Sequence, residues 1–291
     1  IIDIIEAKTE DSLSLAVSQL DGTVSSFVKD VREQLIAMIA HLEVTIDYPE
    51  EDIEDVTSQE VREQLQPILK AMDELLSTAN IGRLIRDGIT TVIVGRPNAG
   101  KSSLMNALLR ENRAIVTDIP GTTRDSIEEY MTVEGISLRL IDTAGIRDTQ
   151  DTVEALGVER ARDYINKADI VLCVIDGSTP LTPEEIGILT SVSGLNTIVL
   201  LNKSDVAQVV TDENIKEHGT FTAIERISAK EGEGSAVLSK WVQELVYGGR
   251  VKQDNSAMIS NVRHISLMEQ AKAQVEQALS SIDMGMSLIH I

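Results

Sequence analysis

The chain has 291 residues, 42% hydrophobic and 25% charged, the composition of a globular protein of about two domains. Its longest apolar runs, such as residues 170–175, fall far short of the ~20 residues that a membrane-spanning helix needs, so no membrane role is expected. A net charge of -21, from 26 Lys+Arg against 47 Asp+Glu, excludes a broad basic face for nucleic-acid backbone, and two Phe, one Trp and four Tyr leave little for a base-stacking platform.

Any nucleic-acid role is therefore local or lent by a partner. The single cysteine, Cys173, lies inside an apolar run, which rules out an internal disulfide and points to a reducing compartment, the cytoplasm. No basic region precedes an apolar stretch near Ile1, so no signal peptide is expected. The missing initial Met suggests a fragment.

Residues 1–88 are predicted to be helical. Leu20, Val24, Phe27, Val31, Leu35, Met38 and Leu42 recur at the three-and-four spacing of one buried helix face, with Gly22 as a costly interruption. A turn is expected at Tyr48–Asp52, and a second stripe through Val61, Leu65, Ile68, Met72, Leu75 and Ala79 completes an antiparallel helix pair.

From residue 89 to 249 the period changes. Short β-rich runs at 90–94, 138–141, 170–175 and 197–201, with another near 224–227, alternate with helical stretches. That alternation implies a mostly parallel sheet with helices on both faces. Residues 250–291 return to a helical stripe, Ile265, Met268, Ala271, Val275, Leu279 and Ile282, whose natural partner is the first pair. The expected organisation is an α/β domain, 89–249, inserted into an all-α helical domain formed by 1–88 and 250–291. The charge is spread over both: 7 basic and 19 acidic residues in 1–88, 15 and 24 in 89–249, so the acidity marks no single tail.

Chemistry enters directly after the first strand. Residues 95–102 read G-R-P-N-A-G-K-S, the phosphate-loop pattern, with a strand before and a helix after. Backbone N–H groups of Asn98, Ala99, Gly100, Lys101, Ser102 and Ser103 would face a phosphate, with Lys101 reaching the β/γ-phosphates and the Ser102 hydroxyl ligating Mg²⁺. The strand 138–141 then runs into Asp142-Thr143-Ala144-Gly145, where a carboxylate can hold the Mg²⁺ shell and Gly145 can approach a γ-phosphate. The strand 197–201 runs into Asn202-Lys203-Ser204-Asp205. Asp205 can accept from the N1–H and the exocyclic amine of guanine, a donor pair that adenine lacks. Ser228-Ala229-Lys230, after the next strand, can offer a backbone N–H to the base oxygen.

All four motifs lie at carboxyl ends of predicted strands, where such sheets bind ligands. The ordered set resembles the GTPase domain of the Ras-like translation-factor class over residues 89–249, a P-loop GTPase fold. Between the first two motifs lie Thr117-Asp118-Ile119-Pro120-Gly121-Thr122-Thr123-Arg124-Asp125, whose hydroxyls and carbonyls sit beside the nucleotide, with Thr123 a candidate Mg²⁺ ligand.

Where Ras-like enzymes carry a water-orienting glutamine after D-x-x-G, this chain has Ile146, so hydrolysis needs another device. Spacing leaves Asn98 two roles: bonding its own loop backbone, or ligating a monovalent cation with carbonyls of Thr117, Ile119 or Thr122. Asn98 together with G-T-T-R-D resembles the potassium-activated GTPases, in which an extended switch encloses the ion.

The order of helical segment, I-D-Y-P-E-E-D at 46–52, GTPase unit, and closing helix with R-H-I-S-L at 263–267 resembles the MnmE (TrmE) family of tRNA-modification GTPases along nearly the whole chain. That resemblance implies GTP hydrolysis to GDP, activated by K⁺ as GTPase domains pair in a homodimer. It also implies action with an MnmG-type flavoprotein and a tetrahydrofolate derivative to modify C5 of the wobble uridine of certain tRNAs, with tRNA engaged through the complex.

The family glutamate that orients the hydrolytic water matches Glu154; the other reading of Glu154 is an exposed carboxylate opening a surface helix. Arg124 is either a switch-positioning residue or one half of a surface ion pair. The family's amino-terminal folate-binding domain and carboxyl-terminal cysteine motif are absent from these 291 residues, so this chain alone is expected to hydrolyse GTP without completing the modification. Two rivals stay open: a ribosome-assembly GTPase of the Era or Der type, and a GTP-sensing module with little turnover.

Overall fold

The structure is a computed structural model that describes residues 1–47, 57–112, 128–142, 162–248 and 257–286. In chain order the elements are α1 (Ile2–Glu6), α2 (Glu10–Leu20), α3 (Thr23–Asp47), α4 (Ser58–Ser77), α5 (Ala79–Asp87), β1 (Ile89–Val94), α6 (Lys101–Asn112), β2 (Glu128–Val133), β3 (Ile136–Asp142), β4 (Ile170–Asp176), α7 (Pro183–Val192), β5 (Thr197–Asn202), α8 (Asp212–Lys216), β6 (Ala223–Arg226), α9 (Gly234–Tyr247) and α10 (Val262–Asp283). Residues 162–167 are also helical. The chain divides into two compact units: Ile1–Arg86 with Val251–Ile291, and Asp87–Arg250.

In the helical unit, Val61, Leu65, Ile68, Met72 and Leu75 of α4 share a core with Met38 of α3 and Met268, Val275 and Ile282 of α10. These spacings bury one face of each helix. Helix α4 starts at a capping box, in which Glu60 accepts from the Thr57 N–H at 2.7 Å and Thr57 Oγ1 from the Glu60 N–H at 3.2 Å. It continues through Pro67, which costs about 3 kcal/mol in a helix interior. Five buried side chains at roughly 1.5–3 kcal/mol each outweigh that loss.

The stripe expected to begin at Leu20 is divided. Gly22 adopts φ +87°, α2 stops at Leu20, and Leu20 is 58% exposed. The tolerated interruption is thus a helix boundary, because a left-handed residue cannot continue an α-helix. Helix α10 is capped by Asn261 Oδ1, which accepts from the N–H groups of Arg263 and His264 at 3.0 and 3.4 Å.

The other unit is built on a six-stranded sheet of order β2-β3-β1-β4-β5-β6. Every pairing is parallel except that of β2 with β3. The β2 edge strand is an addition to the elements expected from sequence. One face of the sheet buries Val92, Val94, Cys173, Ile175, Val199 and Leu201 against Leu189 and Val192 of α7 and Ile215 of α8. The alternate residues Ile93, Val174 and Leu200 point the other way and are buried as well, on the side where α6 packs on β2, β3 and α9. Burial on both faces explains why the central strands are unbroken apolar runs. The register opposes Ile93 to Asp142, Val94 to Cys173 and Asp176 to Asn202, so β1, β3, β4 and β5 end along one edge of the sheet.

Candidate functional site

At that edge β1 gives way to the loop 95–100, and its backbone takes forms that only particular residues accept. Gly95 and Gly100 have φ +152° and +107°, and Asn98 has φ +62°. A Cβ on Gly95 would collide with the Val174 carbonyl of β4, and one on Gly100 with the Asn202 amide, so the loop approaches both neighbours as closely as glycine permits. Asn is the side chain that best tolerates the left-handed region. Ala99 is fully buried, whereas Asn98 at the crown of the loop is exposed.

Lys101 opens α6 and is buried, its Nζ donating to the Arg96 carbonyl at 2.8 Å. Ser102 and Ser103 follow in the first turn with exposed side chains, beside the positive end of a twelve-residue helix.

The tip of β5 meets this loop through one side chain. Asn202, 3% exposed, donates from Nδ2 to the Ala99 carbonyl at 2.8 Å and accepts at Oδ1 from the Ala229 N–H at 2.9 Å. It therefore ties the phosphate-type loop to the turn after β6. Lys203, at φ +66°, donates to Asp176 Oδ2 at 2.6 Å. Asp205 is exposed and accepts from Ser228 Oγ at 3.0 Å, while Glu233 Oε2 takes the Ser228 N–H at 2.7 Å. Between α6 and this turn runs a groove of about 380 Å³ lined by Ser103, Asn106, Ala107, Arg110, Ala229, Lys230, Glu231 and Gly232.

The structure thus brings together Asn98, Ala99, Gly100, Lys101, Ser102 and Ser103 with Asn202, Lys203, Asp205, Ser228, Ala229 and Lys230. Asp142 ends β3 opposite Ile93, one residue short of the end of β1. Thr117, Asp118, Ile119, Pro120, Gly121, Thr122, Thr123, Arg124, Thr143, Ala144, Gly145 and Glu154, like the Asp142 side chain, lie outside the described residues.

A polar network beneath the loop is visible only in three dimensions. Asp176 is buried at the end of β4, and Ser178 donates to its Oδ1 through Oγ at 2.6 Å and N–H at 3.1 Å. Burial pushes its carboxyl upward, but the bonds from Lys203 and Ser178 more than offset this and hold it below the ordinary 3.8. Gln208 donates to the carbonyls of Lys203 and Val206 at 2.7 and 3.2 Å, closing the turn that carries Asp205. An Asp-Gly at a strand end was the available sequence signal for Asp176, and T-P-E-E at 182–185 that for the cap of α7. Ser178 and Thr182 are local partners, whereas Lys203 lies 27 positions from Asp176 and Arg96 lies 80 from Asp176 and 89 from Glu185.

The arrangement offers a glycine-shaped loop, a buried lysine, hydroxyls at a helix start, and an exposed carboxylate bonded to the turn after β6. Over residues 1–291 the chain matches the family model described as MnmE helical domain. It is similar to the tRNA modification GTPase MnmE of Geobacillus thermodenitrificans, 46% identical over 287 residues, and to that of Clostridioides difficile, 43% identical over 286 residues. In each case 98% of this chain aligns with 62% of the relative, so the chain spans less than two thirds of their length. Among solved structures it is similar to Aquifex aeolicus Era bound to GDP·AlF4⁻, at 25% identity over 63% of this chain and 65% of that one, with a TM-score of 0.42.

Proposed function

The chain belongs to the MnmE helical-domain family, and from that premise we propose that it is the GTP-hydrolysing segment of a tRNA-modification GTPase. The observation that carries this reading is Asn202, which draws the anion cradle and the turn after β6 into one site. A cradle alone binds any phosphate; its attachment to Asp205 and the 228–230 turn supplies a guanine-selective end. In this site Lys101 leaves the Arg96 carbonyl for the β/γ-phosphate oxygens, where its charge opposes the negative charge that grows in the transition state.

The exposed hydroxyl of Ser102 at the start of α6 suits a hard cation, and Mg²⁺ there, with Thr123 and Asp142, would neutralise phosphate charge. Asn98, exposed at the crown of the loop, would hold K⁺ with carbonyls of Thr117, Ile119 and Thr122, supplying positive charge where other enzymes insert an arginine. Glu154 orients the attacking water in place of the absent glutamine, and Arg124 sets the first switch. The family's further partners follow in the proposal: a second copy pairing through this domain, an MnmG-type flavoprotein, a tetrahydrofolate derivative on the longer family members, and tRNA modified at C5 of the wobble uridine. A single buried cysteine fits a cytoplasmic setting, and among the described residues no helix is long and apolar enough to cross a membrane.

GTP turnover at fixed ionic strength and constant Mg²⁺, in KCl and then NaCl over a range of protein concentration, tests this. We expect potassium-specific acceleration that rises with concentration and disappears in Asn98→Ala. Equal, slow rates in both salts at every concentration would remove the cation-and-dimer mechanism.

A further inference from the structure

The Arg96 side chain has no role in the chemistry above, yet it is held at three points. Its Nε donates to Glu185 Oε1 at 2.8 Å, and a terminal nitrogen donates to Thr179 Oγ1 at 3.1 Å and Asp176 Oδ2 at 3.4 Å. Glu185 is fully buried. Its other oxygen, Oε2, accepts from the N–H and hydroxyl of Thr182, the N-cap of α7, at 3.0 and 2.9 Å.

Capping alone does not explain this glutamate. The neutral amide of a glutamine serves a capping box equally well, and burying the charge carries a desolvation cost that only a well-placed partner offsets. The Arg96 carbonyl holds Lys101 Nζ, so the residue that grips Glu185 with its side chain also seats the phosphate-reaching lysine with its backbone. Asn98, the one non-glycine residue of the loop at positive φ, keeps that form only where its surroundings over-determine it. Asn202 pins it at Ala99 on one side, and Arg96 pins it to α7 on the other.

Taking the nucleotide site as read above, we propose that Glu185, acting through Arg96, is a positioning residue that holds the 95–101 loop in its phosphate-accepting form. The device is a buried ion pair between the loop and the first turn of α7, and it governs affinity for the phosphates rather than choice of base.

Isothermal titration of the chain with GDP and with IDP, which lacks the guanine amine, tests it, using wild type, Glu185→Gln, Arg96→Met and the double variant. Urea midpoints from Trp241 fluorescence report folding alongside. We expect each single variant to lose at least tenfold in affinity for GDP and IDP alike, leaving their ratio unchanged. The double variant, free of an unpaired buried charge, regains the urea midpoint and keeps the affinity loss. Should the singles fail to fold, the double variant carries the same expectation. Affinities within twofold of wild type in folded variants would overturn the proposal, as would a loss confined to GDP, which would assign the network to the base. If wild type binds neither nucleotide, the reading of the site falls and the proposal with it.

Discussion

Replacing Asn202 by alanine removes two hydrogen bonds at once, one to the Ala99 carbonyl and one from the Ala229 N–H, both at residues buried to within 4% exposure. A buried polar group left without its partner costs about 1–3 kcal/mol, so the two orphaned groups together should cost roughly 2–6 kcal/mol. That is a large share of the about 5–15 kcal/mol by which domains are stable. Trp241 is the only tryptophan and lies in α9 of the same unit, so its fluorescence during urea unfolding follows the unit that holds the site. The expected result is a fall in unfolding free energy in that range, with GDP affinity lost in step. A change below about 0.5 kcal/mol, the size of an ordinary surface substitution, would refute the claim that Asn202 joins the two loops.

Gly82→Ala gains about 1 kcal/mol of helix propensity, but its Cβ would stand 2.5 Å from the Ile259 carbonyl, and such overpacking costs about 1–3 kcal/mol. The net should be destabilisation of the helical unit, seen in urea unfolding by far-ultraviolet circular dichroism while the Trp241 transition stays in place. The folded pKa of Asp176 is held below 3.8, so its contribution is complete above 3.8 and lost as pH falls through the folded value. Asp176→Asn should therefore be less stable at neutral pH yet lose less than wild type as pH falls below 3.8, measured as urea midpoints against pH. Burial, helped by the charge of Glu185, pushes the Cys173 thiol up to about 12. Ellman's reagent should accordingly label it only as urea unfolds the sheet, and labelling of the native protein would contradict the burial.

Much of the site was legible because its residues are local. A strand followed by G-R-P-N-A-G-K-S, or by N-K-S-D, announces both the element and the chemistry at its end, since one backbone trajectory carries both. Strand β2 was harder to read. As an antiparallel edge strand, E-E-Y-M-T-V alternates charged and polar side chains with Met131 and Val133, and its apolar half is too short to stand out. Gly22 shows the converse: the apolar spacing runs straight across it, so periodicity alone joined two helices that a left-handed φ separates. The pairing of Arg96 with Glu185 spans 89 positions, and nothing in either local pattern names the other. T-P-E-E carries the cap of α7 in its local pattern but no sign that the charge of Glu185 is buried, because burial depends on the sheet beneath it.

In the proposed reading, the carboxyl edge of this sheet binds and hydrolyses a guanine nucleotide. Phosphate release by the same chain from GTP and from ATP, in Mg²⁺ and KCl at equal ionic strength, tests it most directly. Turnover of GTP with little from ATP is expected, and loss of that preference in Asp205→Ala. Equal release from both nucleotides, or none from GTP at any protein concentration, would contradict it.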